Sequence, residues 1–143
     1  VTRHRERVPY RNLMRTIDRL EANIRYDSSR DFYTTLVGAI QDLMSSRLGF
    51  DCRAATSTEL RGYLPMLAAR CGEAAETTSA LAGVFETADR AKFGHAQVRR
   101  KVRLAHLKQC RETAVLLEAA RRRARARRTA SAPRREEGER VGV

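Results

Sequence analysis

The stretch SSRDFYTTLVGAIQDLMSSRLGF, from Ser28 to Phe50, decides the fold of this chain. Its apolar residues recur at intervals of three and four, a spacing that places them on one wide stripe of an α-helix: Phe32, Tyr33, Leu36, Val37, Ile40, Leu43 and Met44. Ser28 or Ser29 is suited to cap the first turn, and Gly49 supplies the left-handed residue that stops a helix. The stretch therefore predicts the central core helix of a bundle.

The same spacing predicts helices on both sides of this one. A first helix is expected over roughly 9–25, because Pro9 is tolerated in a first turn. Thr56 and Glu59 have the form of a capping box, which predicts the start of a third helix. Pro65 is expected to kink or split that helix, and Gly72 to end it.

Two more helices complete the prediction. A helix rich in small residues is expected from Ala74 to about Arg90, and the last helix from about Ala96. We expect the apolar face of the last helix to consist of Val98, Val102, Ala105, Val115, Leu116 and Ala119. The fold class is thus all-α, a single small bundle of about five helices with short connections. The predicted shared core is Leu36, Ile40, Leu43, Leu60, Leu81, Phe85 and Val102.

Charge divides the chain into three parts. The length of 143 residues, of which 42% are hydrophobic, fits one domain. A basic arm, 1–8, precedes the bundle, 9–120, and an arginine-rich tail, 121–143, follows it. Nine arginines against three glutamates give that tail half of the net charge of +12. We expect it to extend the last helix, to lose regular structure at 129–133 and to be dispensable for folding, so that truncation after Ala120 leaves the melting temperature nearly unchanged.

The arginines are the feature that points to a partner. Clustered arginine can neutralise the phosphates of nucleic acid or of lipid headgroups. The candidate contacts with an anionic surface are Arg3, Arg5, Arg7, Arg121, Arg122, Arg123, Arg125, Arg127 and Arg128. Aromatic residues that stack on bases are missing from residue 99 onwards, which counts against nucleic acid. The alternative interpretation is a solvated helix end without a ligand.

No pattern of residues predicts catalysis. We expect the three histidines at the surface, and none of them belongs to a recognisable metal-ligand motif with another His, Cys or carboxylate: His4, His95 and His106. The acidic residues are spaced as solvated helix faces: Asp18, Glu21, Asp42, Glu59 and Glu86. The glycines form no phosphate loop, and Cys52, Cys71 and Cys110 lack metal-ligand spacing, although a bond between Cys52 and Cys71 stays open. We expect no catalytic residue, cofactor or metal ion.

Four short runs of residues occur in an order typical of a known family. They are Phe32-Tyr33 followed by Leu36, then Arg47-Leu48-Gly49, then Thr56 with Glu59-Leu60, and finally Ala88-Asp89-Arg90-Ala91-Lys92-Phe93 before a long charged helix. Over about residues 10–120 the chain thereby resembles the cytoplasmic C-terminal helical region of BatD-like aerotolerance membrane proteins. It departs from that family in lacking a membrane span and a periplasmic β-rich part.

This resemblance implies a cytoplasmic appendage of a bacterial membrane protein that acts with MoxR-type AAA ATPases and von Willebrand A proteins in stress tolerance. It implies no catalytic residues. A spanning helix before Val1 would place Arg3, Arg5 and Arg7 just inside the membrane, as the positive-inside rule requires. The favoured prediction is a protein-interaction module on the cytoplasmic side of the bacterial inner membrane, with no small-molecule substrate. The alternative is a nucleic-acid-binding helical protein that uses its arginine-rich tail.

Overall fold

The structure, a computed structural model, describes the backbone of residues 2–141 and the side chains of residues 8–130. Over this part of the chain it contains five α-helices, one turn of 3-10 helix and no strand: α1 Thr2–Ala22, α2 Ser29–Leu48, α3 Ser57–Arg70, the 3-10 turn Ala75–Thr78, α4 Ala80–Phe93 and α5 Arg100–Val141. The helices pack into one bundle. The predicted all-α fold class is confirmed.

Helix α2 begins and ends where its sequence predicts. The Ser28 hydroxyl accepts a hydrogen bond of 3.1 Å from the backbone N–H of Asp31, which satisfies one donor of the first turn. At the other end Gly49 has φ of 81°, and its N–H donates to the carbonyl of Ser45. A side chain at Gly49 would be strained in this left-handed conformation, so glycine fixes the helix end.

Helix α3 has the predicted capping box. The N–H of Glu59 donates to the Thr56 hydroxyl at 3.2 Å, and the Glu59 carboxylate accepts from the N–H of Thr56 at 3.0 Å. The helix runs through Pro65, which does not split it. Pro65 lies on the exposed side of α3, where water can bond the carbonyl that loses its helical donor.

Helix α2 lies at the centre of the bundle. It packs against α1, α3 and α4, while α5 packs against α1 and α4. Six of the predicted core side chains are at most 4% exposed, which confirms them: Leu36, Ile40, Leu43, Leu60, Leu81 and Phe85. Tyr33 and Phe32 are fully buried beside them, with their rings edge to face at 4.8 Å between centroids.

Two helix starts differ from the prediction. Helix α1 begins at Thr2 rather than near Pro9, so that Pro9 lies inside it. A proline removes one N–H and a helix can continue on both sides of it, at a cost in free energy. Helix α4 begins at Ala80, after the 3-10 turn, because the Thr78 hydroxyl donates to the carbonyl of Leu64 at 2.7 Å and holds this segment against α3.

The last helix differs from the prediction at both ends. It begins at Arg100 rather than Ala96, and it continues to Val141, across the segment 129–133 where we expected regular structure to end. Ala130 and Ala132 have high intrinsic helix propensity, and a helix can continue on both sides of a proline such as Pro133 at a cost in free energy. The side chains beyond residue 130 lie outside the described part of the structure.

The predicted apolar face of α5 is wrong. Val102 is 39% exposed rather than buried, and Val115 and Leu116 are 46% and 50% exposed. The side of α5 that packs on the bundle instead consists of Leu107, Cys110, Ala114 and Leu117, with the polar residues His106, Thr113, Glu118 and Arg121. Both sides of this helix carry apolar residues at helical spacing, so periodicity alone could not select between them.

We expect Leu43→Ala to lower the free energy of unfolding by about 2–5 kcal/mol, because Leu43 is 4% exposed and the substitution leaves a cavity between α2 and its neighbours. Leu116→Ala is the matched control, since the same atoms are removed from a half-exposed position, and it should cost about 0.5 kcal/mol or less. Urea denaturation of both variants measures the difference. Equal losses would contradict the burial assigned to Leu43 or the exposure assigned to Leu116.

Candidate functional site

The candidate arginines fall into different environments. Helix α5 leaves four of them exposed, Arg122, Arg123, Arg127 and Arg128, and Arg125 half-buried. Arg121 is buried, with 7% of its side chain exposed. The side chains of Arg3, Arg5 and Arg7 lie outside the described residues. The structure therefore does not bring the described candidates onto one surface.

Arg121 belongs to a buried charge cluster between α2 and α5. Its guanidinium contacts the carboxylate of Glu118 at 2.6 Å, and Arg47 of α2 contacts the same carboxylate at 2.9 Å. At most 7% of each of these three side chains is exposed. Arg122 adds a longer contact of 3.5 Å to Glu118. Arg121 therefore packs on the bundle, so truncation after Ala120 would remove a buried partner and lower the melting temperature, contrary to our expectation.

The charge of Glu118 is stabilised by its neighbours. Burial alone would raise the pKa of this carboxyl, but hydrogen bonding to Arg121 and the charges of Arg121, Arg47 and Arg122 outweigh burial, and the pKa lies below its ordinary value. Glu118 is therefore ionised at neutral pH. A buried carboxylate that is ionised needs its partners, because an uncompensated charge in the interior is costly.

Arg47 and Arg121 also line a cavity of about 330 Å³ at the junction of α2, α3 and α5. Among the described residues, Arg70 and Arg128 are the other arginines that line it, and we name this cavity with these four arginines the arginine pocket. The other residues around it are Ser46, Gly49, Cys71 and Ala124. The carboxylate of Glu118 lies against two of the four guanidinium groups.

The ends of two helices explain how these arginines come together. Arg47 lies in the last turn of α2 and Arg70 in the last turn of α3, where cations are favoured by the helix dipole. Arg70 reaches across to donate a hydrogen bond of 3.0 Å to the carbonyl of Leu48, one of the acceptors left open at the end of α2. Burial raises the pKa of the Cys71 thiol beside them, which makes this cysteine a poor nucleophile at neutral pH.

A second polar pair is buried between α2 and α5. The Tyr33 hydroxyl and Nδ1 of His106 lie 2.7 Å apart, and His106 is only 9% exposed. The expectation of a surface position for His106 is therefore wrong, whereas His95 is exposed. Burial and the charge of Arg90 lower the pKa of His106, and burial raises the pKa of Tyr33, so both rings are neutral at pH 7.

The side of α5 that faces away from the bundle mixes apolar and basic residues. Four of its apolar side chains are between 36% and 50% exposed: Val102, Leu104, Val115 and Leu116. Lys101, Lys108 and Arg122 are exposed on the same helix, as is Glu112. We name these eight residues the outer face of α5. Its net charge is +2.

The described residues contain neither a metal-ligand cluster nor a membrane-spanning helix. No three His, Cys, Asp or Glu side chains among them are placed to hold a metal ion, and Cys52, Cys71 and Cys110 are free thiols. No helix in this part of the chain is both long enough and apolar enough to cross a membrane. The acidic residues predicted to lie on solvated faces are all exposed: Asp18, Glu21, Asp42, Glu59 and Glu86.

Comparison with known proteins gave no match, since no protein-family model, no characterised protein and no solved structure is significantly similar to this chain. The resemblance to BatD-like proteins therefore stays a prediction.

Sequence reasoning missed three residues of the arginine pocket and its charge cluster: Arg47, Arg70 and Glu118. Glu118 lies three residues before Arg121 and four before Arg122, a spacing that indicates ion pairs on a helix. Nothing in the sequence pairs Arg47 with Glu118, because the two lie on different helices and meet only in the folded bundle.

We expect Arg121→Ala to lower the free energy of unfolding by about 1.5–3 kcal/mol, because the buried Glu118 carboxylate loses hydrogen bonds from a charged donor. Arg122→Ala removes the same charge from the next residue, whose side chain is 64% exposed, and should cost less than about 1 kcal/mol. Chemical denaturation at pH 7 measures the free energy of unfolding of both variants. Similar small losses would mean that Arg121 is solvated, as the sequence had indicated.

We expect acid to destabilise the bundle through His106. Its pKa is lower in the folded chain than its ordinary value of 6.5, so the unfolded chain binds the proton first. The contribution of neutral His106 is present above pH 6.5 and is lost as the pH falls below it. Melting temperatures measured from pH 7.5 to 5 give the slope of stability against pH. His106→Gln should reduce this slope, whereas His95→Gln, at an exposed position, should leave it unchanged. A slope unaffected by His106→Gln would contradict the assignment.

Proposed function

We propose that this domain is a non-catalytic protein-interaction module. The observation that carries the proposal is the outer face of α5, where Leu104, Val115 and Leu116 are between 36% and 50% exposed although the bundle has a well-buried core. Exposed apolar side chains framed by charged ones are the arrangement found at protein interfaces. Burial of these side chains against a partner would recover free energy that the isolated bundle does not gain.

The charges on this face favour a partner of complementary chemistry. Lys101, Lys108 and Arg122 outnumber Glu112, so an apolar surface bordered by carboxylates would fit it best. The BatD-like resemblance identifies candidates with this role, namely a MoxR-type AAA ATPase or a von Willebrand A protein. The same resemblance supports attachment to a membrane protein on the cytoplasmic side of the bacterial inner membrane and a role in stress tolerance.

Binding of the domain to a purified MoxR-type ATPase and to a von Willebrand A protein from the same bacterium tests this proposal. We expect Leu116→Asp to weaken the complex at least tenfold, about 1.4 kcal/mol or more, because it puts a carboxylate at the apolar centre of the interface. Met66→Asp is the matched control, since Met66 of α3 is 48% exposed against 50% for Leu116. Isothermal titration calorimetry measures both variants.

Three outcomes would contradict the proposal. The first is that neither candidate protein binds, and the second is that both variants bind like the unchanged domain. The third is that Met66→Asp weakens binding as much as Leu116→Asp does. Circular dichroism shows whether each variant keeps its helical content, so that loss of binding is separated from loss of folding.

A second candidate function, nucleic-acid binding, rests on the exposed arginines of α5. Arg122, Arg123 and Arg127 are exposed on the described part of that helix, although Arg123 contacts Glu73 at 2.7 Å. A titration with single-stranded and double-stranded DNA at several salt concentrations distinguishes the two functions. Nucleic-acid binding would weaken steeply with salt, and Leu116→Asp would affect it only through the added negative charge, an effect that high salt screens.

A further inference from the structure

Two aromatic rings are exposed at one end of the bundle. Tyr26 lies in the connection between α1 and α2, Phe93 is the last residue of α4, and the two residues are 82% and 79% exposed. Every other large apolar residue of the range 8–130 is at most 50% exposed. A ring in water does not gain the free energy that burial would give it, so these two rings contribute little to the stability of the bundle.

The connections that carry the two rings contact each other. The Ser29 hydroxyl accepts a hydrogen bond of 2.9 Å from the N–H of Val98, which lies between α4 and α5. Nη1 of Arg103, in the first turn of α5, donates to the carbonyl of Asp27 at 3.3 Å. The α1–α2 connection and the α4–α5 connection therefore form one end surface of the bundle.

Each ring is attached to backbone that is hydrogen-bonded. The N–H of Tyr26 donates to the carbonyl of Asn23 at 2.9 Å, which closes a turn just after α1. The N–H of Ala96 donates to the carbonyl of Arg90 at 3.0 Å, which fixes the chain that follows Phe93. A ligand that contacts these rings would have little backbone to order, and the entropic cost of binding is lower for that reason.

Four exposed arginines accompany the rings in these two segments: Arg25, Arg30, Arg99 and Arg100. Their side chains make no ion pair or hydrogen bond with any other residue of the range 8–130. Arg99 and Arg100 lie at the amino end of α5, where the helix dipole disfavours a cation, so they do not stabilise that helix. We name the four arginines together with Tyr26 and Phe93 the aromatic end of the bundle.

We propose that the aromatic end binds single-stranded nucleic acid. Every base has a π-face, so a base of any type can stack on an exposed ring. A guanidinium matches two oxygens of a phosphate, which lets the arginines contact the backbone of the same strand. The aromatic end thus combines rings with arginines, whereas the sequence from residue 99 onwards has arginines without rings.

Two carboxylates among the arginines favour a single strand over other anionic partners. Asp27 is half-buried and Asp31 is exposed in the first turn of α2, so four arginines and two aspartates give this end a net charge of +2. A flexible strand can place its phosphates at the arginines and away from the aspartates. A flat anionic membrane would meet both signs of charge at once, and a duplex hides the faces of its bases within the stack.

This site does not rest on the proposed protein interaction. It shares no residue with the outer face of α5 or with the exposed arginines further along that helix. Arg122, the first of those arginines, follows Arg100 by 22 positions, which is about 33 Å along a helix. Binding at the aromatic end should therefore survive Leu116→Asp, and the two sites can succeed or fail separately.

The test measures binding of the full chain to a fluorescent single strand of about ten nucleotides by fluorescence anisotropy, at about 50 mM salt. A second strand of the same length consists of abasic sites, so that it carries the same phosphates without bases. We expect saturable binding of the first strand. The affinity for the abasic strand should be at least about fivefold lower, because it cannot stack on the rings.

Matched variants locate the binding site. Tyr26→Leu and Phe93→Leu remove a ring but keep an apolar side chain, and each should weaken binding of the first strand at least about fivefold. Tyr26→Phe and Phe93→Tyr keep the ring and should change the affinity less than about twofold.

A second pair of variants tests the charge. Arg100→Ala should weaken binding of the strand at least about threefold. Arg11→Ala removes the same charge from an exposed position of α1 outside the aromatic end, and should change the affinity less than about twofold. All of the substituted side chains are exposed, so the variants should fold, and circular dichroism checks their helical content.

Three results would overturn the proposal. The first is that the full chain does not bind the strand saturably. The second is that the abasic strand binds equally well, or that both leucine variants bind like the unchanged chain, as expected if the arginines further along α5 attract the strand by charge alone. The third is that Arg100→Ala lowers binding to phosphatidylglycerol vesicles but not to the strand, which would assign the aromatic end to a membrane surface.

Discussion

The bundle depends on the burial of α2 on several sides at once. Phe32, Tyr33 and Leu36 are fully buried and lie at one end of this helix, while Met44 is fully buried near the other. A helix with such a wide apolar surface cannot be covered by one neighbour, so α1, α3 and α4 pack against it. Hydrophobic burial along α2 is the constraint that holds the other helices in place, because each of them is only partly apolar.

Polar contacts then fix how α5 lies against this centre. Tyr33 meets His106 near one end of the interface between α2 and α5, and Arg47 meets Glu118 towards the other. The hydroxyl of Ser29 also accepts the N–H of Val98, just before α5 begins. Buried polar groups lose free energy when they are unpaired, so any rotation or slide of α5 that separated these pairs would be penalised. Apolar packing alone would allow α5 more than one position against α2.

The arginine pocket and the outer face of α5 both follow from that position of α5. One side of the helix contacts the bundle and brings Arg121 and Arg128 to the ends of α2 and α3, where the arginine pocket forms. The opposite side leaves Val115 and Leu116 exposed among basic residues. A single helix thus contributes to the arginine pocket on one side and carries on the other the face proposed for a protein partner.

The sequence by itself determined the local structure. Ser28 and Gly49 bound α2, and the Thr56–Glu59 capping box starts α3, because caps depend on residues only a few positions apart. The central stripe of α2 was also predicted, since one face of that helix is far more apolar than the rest. The same local reasoning failed for Val102, which belongs to one of two apolar sides of α5.

Only the tertiary structure decided which side of α5 is buried and which arginines meet. Pairing of Arg47 with Glu118, and of Tyr33 with His106, joins residues more than 70 positions apart, and no periodic pattern encodes such a pairing. The arginine pocket likewise combines residues of three helices. Its existence depends on the relative position of α2, α3 and α5, which is set by the summed packing and polar contacts of the whole bundle and not by any one segment.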